Sequence, residues 1–300
     1  NENYPETLPY DPKTGEGYLD KNWPLGLTDR ITPAAVPRIG VMKSSDGGWN
    51  WDNKGILLED RQPRLILNPH NSSKTFAGGV GDPSAVAVGD YVYLFYGEYS
   101  YPGVYDPATY DPAIEQSGQC ISVARIKITD LEQPRGKAKR WDGKGFNAPW
   151  DEIGKPISSL QIAKENGGGP ASSEKGGFHW GPSVSWNTYL ECWVMLMGHV
   201  EGPRWIGDKL YISFNPHRDL GEGNNSQAWS TPQVLVQKPG HVIWYPSLQP
   251  LNTPEDIAAK NTRCTPLLHS TMMLSIQVVL VKNIVVERMP LKDSVPLSCL

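Results

Sequence analysis

Three acids, Asp82, Glu98 and Glu201, sit where carboxylate chemistry is feasible, and five side chains, His179, Trp180, His199, Trp244 and Tyr245, are placed to surround them. Asp82 stands near the start and Glu98 at the end of GVGDPSAVAVGDYVYLFYGE (residues 79–98), which reads as two strands about a Gly89-Asp90 turn. Antiparallel pairing returns the end of the second strand to the start of the first, so both acids are expected at one end of the hairpin. The same folding-back brings His179 and Trp180 towards His199 and Glu201, while Trp244 and Tyr245 hold the corresponding place in a third segment. Cleaving a glycosidic bond takes one carboxylic acid to protonate the leaving oxygen and one carboxylate as base or nucleophile, about 5 to 9.5 Å apart. Acids on neighbouring strands can meet that spacing. Trp and Tyr faces suit stacking on sugar rings, and a pair of imidazoles suits a substrate or metal contact.

Each residue also has a plainer reading. Asp before Pro commonly starts a turn. Glu98, between Gly97 and Tyr99, reads as a solvated charge, and Glu201 has little beyond its position to single it out. The two histidines can be core or loop residues, and the aromatic rings can be packing between sheets.

The elements that must carry these side chains are strands. No window before residue 250 keeps apolar residues at helical spacing without Gly or Pro interrupting it. Hairpins are predicted for 85–88 with 91–96 and for 184–186 with 192–197, followed by single strands over 120–126 and 209–214. Aligning these blocks exposes a repeat: Asp82-Pro83-Ser84, Gly181-Pro182-Ser183 and Tyr245-Pro246-Ser247 each open an extended apolar stretch. In the first two, a hairpin, a third strand and a Trp-bearing segment follow, around Trp141 or Trp150 and around Trp229. One such unit cannot bury both faces of its small sheet, so the units must stack, radially as propeller blades or face to face in a sandwich. The radial arrangement is the reading adopted here: an all-β propeller over residues 1–262, with residues 263–300 an atypical segment. Within that segment 274–281 is densely apolar, yet too short and too closely followed by Lys282 to span a membrane.

Two stretches resemble known families. Ser44-Ser45-Asp46-Gly47-Gly48-Trp49-Asn50-Trp51 is similar to the Asp-box of sialidase-like propellers, with Asn50 in place of the usual Thr. Asp46 is expected to accept backbone N–H groups across that turn and Trp51 to pack the turn onto its blade, a structural device with no catalytic role. The run GDPSAVAVGDYVYLFY (residues 81–96) resembles the inner hairpin of the five-bladed β-propeller glycosidases, the superfamily of glycoside hydrolase families 32, 43 and 117. The resemblance is concentrated in residues 78–97 and extends more loosely over 180–229 and 244–247. It implies an axial funnel ringed by the Pro-Ser openings, and a role for Asp82 as base, nucleophile or acid that sets a neighbour's pKa. Family 43 enzymes place their general acid in a Glu-Gly-Pro motif opening an inner strand. Here Glu201-Gly202-Pro203 follows the second strand of a hairpin, and Trp180-Gly181 and Tyr245 stand where further acids are expected. The remaining carboxylates then belong to other blades, for instance near Asp29 or Glu59, or the funnel binds without cleaving.

Composition agrees with many turns and amphipathic aromatics: 30 Gly, 27 Pro, 11 Trp and 13 Tyr against 5 Phe. With a formal charge of -4, neither nucleic acid nor an anionic membrane is a favoured partner and neutral or weakly charged small molecules fit better; the resemblance to propeller glycosidases implies a carbohydrate substrate. The four cysteines, Cys120, Cys192, Cys264 and Cys299, are far apart and lack zinc or redox spacing, so they are expected to be buried thiols or at most one disulfide. No cofactor is called for, an axial cation such as calcium stays open, and the expected location is extracellular or periplasmic.

Overall fold

The computed structural model describes residues 37–60, 79–100, 118–160, 178–188, 190–200, 207–249, 275–280 and 285–290. Asp29, Glu201, Cys264, Cys299 and most of the polar stretches 101–119 and 161–177 lie outside them. The first hairpin pairs β1 (Ile39–Lys43) with β2 (Asp52–Leu58). A five-stranded sheet then runs in chain order through β3 (Val80–Val88), β4 (Tyr91–Glu98), β5 (Cys120–Lys127), β6 (Lys139–Arg140) and β7 (Ala148–Pro149). A four-stranded sheet holds β8 (Phe178–Asn187), β9 (Cys192–Val200), β10 (Lys209–Asn215) and β11 (Gln233–Gln237), and a three-stranded sheet β12 (Ile243–Gln249), β13 (Ser275–Leu280) and β14 (Val285–Pro290). Every pairing is antiparallel and joins strands consecutive in sequence. Such meanders follow from the short turns read in the sequence, as at Gly89-Asp90, where Gly89 takes φ +56° between the paired Val88 and Tyr91.

The three Pro-Ser openings share one backbone device. β3, β8 and β12 are the edge strands of their sheets, where a missing N–H is tolerated. In each, the residue before the proline and the proline itself face a single partner residue. Register passes from Gly81↔Gly97 to Ser84↔Phe95, from Trp180↔Gly198 to Ser183↔Leu196, and from Trp244↔Val279 to Ser247↔Gln277. The first bulge residue has positive φ in all three: Asp82 +48°, Gly181 +57° and Tyr245 +51°. This is the left-handed position at which a bulge of this kind selects glycine. Asp tolerates it better than most residues, and Tyr less well. The sequence repeat is therefore a repeat of structure, and the strands begin before their prolines.

Alternation along the central strands explains how the sheets stack. On β4, Leu94 and Tyr96 join Ala124 and Ile126 in a core shared with Ile39, Leu57 and Leu58 of the first hairpin. The alternate residues Tyr93 and Phe95, with Ile121 and Val123, meet Val184, Trp193, Met195 and Met197 of the next sheet. The other face of that sheet, Cys192, Val194, Leu196, Leu210, Ile212 and Phe214, closes against Ile243 of β12. Fully burying a side chain such as Phe95, Met195 or Leu196 contributes about 1.5–3 kcal/mol. β4 and β9, covered on both faces, are accordingly apolar along nearly their whole length.

Sheets stacked face to face in chain order, with β3 beside β8 and β8 beside β12, have the arrangement of propeller blades. One contact fixes the first pair: the Ser84 hydroxyl accepts the Val184 N–H at 2.9 Å and satisfies part of the open edge of β8.

β13 and β14 pair with β12, so the third sheet takes two strands from beyond residue 262. In the turn between β1 and β2, Asp46 accepts the Asn50 backbone N–H at 2.9 Å and the Ser44 hydroxyl at 2.8 Å. Trp51, however, folds over its own turn, its indole N–H on the Gly48 carbonyl at 2.8 Å, and stays 54% exposed instead of packing onto a blade.

Candidate functional site

Asp82 stands half-buried at the first opening. Its carboxylate accepts a hydrogen bond from the Tyr99 hydroxyl. Tyr99 follows β4 directly, and its ring folds back over the paired Gly81 and Gly97. A Cβ at those positions would stand 3.0 Å and 2.3 Å from it, so both glycines are needed to let the ring lie there. The backbone N–H of Tyr99 donates to the Gly79 carbonyl at 3.0 Å.

Glu98 lies at the same end of the hairpin, opposite Val80, as its position in sequence requires. It leaves on the other face. Alternation puts it with Leu94 and Tyr96, towards the first hairpin, whereas the Tyr99 hydroxyl lies over Gly97, on the Phe95 face. Neither the solvated charge nor a carboxylate facing Asp82 is what the structure contains. Glu98 is fully buried, with the Arg140 guanidinium at 3.0 Å, the Gly154 N–H at 3.0 Å and the Ser100 hydroxyl also bonded to it. Arg140 is itself inaccessible and donates further to the carbonyls of Trp150 and Glu59.

The Ser100 hydroxyl also stands 2.6 Å from buried Asp60. Burial, opposed by Arg140 and reinforced by Asp60, pushes the Glu98 carboxyl up to about 7. Glu59, the other acid considered for the site, is held between Arg38 at 3.4 Å and Arg135 at 3.5 Å.

At the second opening, His179 and His199 are a cross-strand pair with ring centroids 5.7 Å apart, and Tyr211 lies 4.5 Å from the first and 5.3 Å from the second. Both imidazoles are buried. Burial, and next the neighbouring His199, hold His179 down at about 3, so it is neutral across the physiological range. It can exchange hydrogen bonds but does not serve as a cation. Trp180 lies across Gly198 on the opposite face and meets the third opening, with its ring 5.6 Å from Trp244 and 5.2 Å from Tyr245. Trp180 is 3% exposed and Tyr245 41%, so the first is packing and the second offers an open face.

The structure thus brings Trp180, Trp244 and Tyr245 together, places the His179–His199 pair at the same opening as Trp180, and separates Glu98 from Asp82. Among the described residues no group of three or more His, Cys, Asp or Glu side chains could hold a metal ion, and no helix is long and apolar enough to cross a membrane. Cys120 and Cys192 are buried free thiols. Sequence reading missed Tyr99, Ser100, Asp60 and Arg140. The signal for Tyr99 was the pair of facing glycines, Gly81 and Gly97; Arg140, 42 residues beyond Glu98, left none.

The class defined by these features is an all-β protein of stacked antiparallel blades with an aromatic, acid-bearing set of strand openings. No protein-family profile matches the chain, and no curated protein does. Solved structures do: an exo-β-1,3-galactanase from Phanerochaete chrysosporium (9% identity, 73% of this chain and 36% of that one, TM-score 0.37). The catalytic domain of a GH62 α-L-arabinofuranosidase from Coprinopsis cinerea also matches (12% identity, 75% and 54%, TM-score 0.34). So does a sialidase from Trypanosoma rangeli (12% identity, 84% and 49%, TM-score 0.24). The chain spans between about a third and about half of the length of these proteins.

Proposed function

We propose that the chain is a glycoside hydrolase of propeller architecture that takes a neutral or weakly charged carbohydrate at the rim shared by the three Pro-Ser openings. The observation that supports it is the equivalence of Asp82, Gly181 and Tyr245: three identical bulges on neighbouring edge strands, one carrying an acid and the next two flanked by aromatic rings. A non-glycine residue held at positive φ costs about 1–3 kcal/mol and persists where the surroundings over-determine it, which is common at functional sites. In this reading Asp82 is the carboxylate that touches substrate, as base or nucleophile, and Trp244 and Tyr245 stack on the sugar. The His179–His199 pair, with His179 neutral, contacts hydroxyls. The acid that protonates the leaving oxygen comes from outside the described residues, with Glu201 the candidate. The scheme needs no cofactor, and a glycan substrate goes with an extracellular or periplasmic protein.

Sugar release from a panel of plant, algal and sialylated glycans tests it. The expected result is turnover of at least one glycan by the wild-type chain, reduced by about 10³-fold or more in Asp82→Asn; unchanged turnover in the variant would remove Asp82 from the mechanism.

A specific observation favours a second reading, a non-catalytic propeller that binds glycan or protein. Two of three openings lack an acid, and Glu98 is committed to Arg140. That reading predicts glycan-array binding that survives Asp82→Asn, with no turnover.

A further inference from the structure

We propose that Tyr99 is the positioning residue for Asp82, orienting its carboxylate through the hydroxyl hydrogen bond while the ring fills a slot floored by Gly81 and Gly97. The inference deepens the proposed function and rests on it for the catalytic meaning of Asp82.

Equivalent places in two blades differ in one telling respect. Gly81↔Gly97 in the first corresponds to Trp180↔Gly198 in the second, each being the last pair before the bulge. In both, a glycine on the second strand is covered by an aromatic ring on the same relative face. The second blade supplies that ring from its first strand, as Trp180, and the residue at the bulge is Gly181, without a side chain to hold. The first blade has glycine on both strands and brings the ring from beyond the end of β4, as Tyr99. This ring carries a hydroxyl, and the hydroxyl lands on the side chain at the bulge, Asp82. Packing alone would be served by Trp or Phe in that slot. Of these two blades, only the one with an acid at its opening has a phenol there.

Tyr99 is also fixed from both sides in sequence. Glu98 is anchored to Arg140, and Ser100 to Asp60 and Glu98, so the corner 98–100 is tied into the buried polar group while its middle residue points the other way. A ring held in this manner, with 4% of its surface exposed, limits the rotamers open to Asp82.

Tyr99→Phe keeps the ring and removes only the donor. The test follows the Asp82 carboxyl resonance in protein labelled with ¹³C-aspartate, assigned by its absence in Asp82→Asn, through a pH titration. A hydroxyl donated to a carboxylate favours the ionised form. The midpoint of that resonance is therefore expected to rise in Tyr99→Phe by about one pH unit, about tenfold in proton affinity.

Gly97→Ala is the second variant. Its methyl occupies the place of the hydroxyl, displaces the ring and moves the midpoint the same way although Tyr99 is intact. Where a glycan is turned over, the acid limb of the kcat/KM profile moves with the resonance, and kcat falls more than KM changes. An unmoved midpoint in Tyr99→Phe overturns the proposal. A moved midpoint in a chain that cleaves no glycan supports the positioning role and removes the hydrolase reading alone.

Discussion

The Arg140 guanidinium stands 3.0 Å from the Glu98 carboxylate, and neither side chain reaches solvent. The pair ties the end of β4 to β6 and, through the Glu59 carbonyl, to the end of the first hairpin. Above about pH 7, where Glu98 is ionised, removing one member leaves the other charge buried without its partner, which costs about 3–5 kcal/mol. Glu98→Ala and Arg140→Ala are each expected to lower stability by that amount in urea unfolding. A catalytic Glu98 would instead abolish turnover in Glu98→Gln with little change in stability.

The same residue gives stability a pH dependence of defined sign. Glu98 titrates at about 7 in the folded chain against 4.5 as its ordinary value. Between those values the unfolded chain releases a proton that the folded chain retains, so the Glu98 contribution falls as pH rises from 4.5 to 7 and is constant outside that window. His179 works in the opposite sense: its ordinary value of 6.5 drops to about 3 on folding, so its contribution is complete above 6.5 and is lost as pH falls towards 3. Between 4.5 and 6.5 the two slopes oppose each other, so urea midpoints should rise with pH across that range in Glu98→Gln, fall with pH in His179→Gln, and change less than either in wild type. Parallel curves would show that neither group is linked to folding.

Trp180 and Tyr245 touch, yet their substitutions should separate. Trp180→Ala empties a buried site and is expected to cost about 3–5 kcal/mol. Tyr245→Ala removes an exposed ring, leaves stability within about 1 kcal/mol, and weakens oligosaccharide binding measured by calorimetry. Equal binding by wild type and Tyr245→Ala would remove the sugar platform from the third opening.

The junction between the first two blades has its own probe. Ser84→Ala deprives the Val184 N–H of its acceptor at the edge of β8, a loss of about 1 kcal/mol. Hydrogen exchange at Val184 should quicken in that variant. Exchange at the wild-type rate would mean that β8 does not depend on the neighbouring blade at this point.

How much of this was legible in the sequence depended on whether the physics was local. The Pro-Ser repeat was visible because a bulge on an edge strand favours a proline after a residue that accepts positive φ, and that pair recurs as letters. The hairpin about Gly89-Asp90 was visible for the same reason. The end of the hairpin on which Glu98 falls followed from pairing, but its face was missed: counting by twos from Leu94 and Tyr96 would have placed it inward, and only Arg140, far along the chain, explains how a carboxylate survives there. β13 and β14 carry no Gly or aromatic punctuation, so nothing in their letters linked them to β12. Trp51 shows the reverse, a familiar pattern whose ring turned out to cap its own turn.

The most direct measurement for the whole account is a crystal structure of Asp82→Asn, which keeps the side-chain shape and removes its charge, soaked with an oligosaccharide cleaved or bound by the wild-type chain. The expected result is a sugar ring against the face of Tyr245 or Trp244 and a hydroxyl or glycosidic oxygen within hydrogen-bond distance of the substituted amide at position 82. Sugar bound elsewhere, with residue 82 turned to an outer edge and the three Pro-Ser bulges pointing apart, would contradict it.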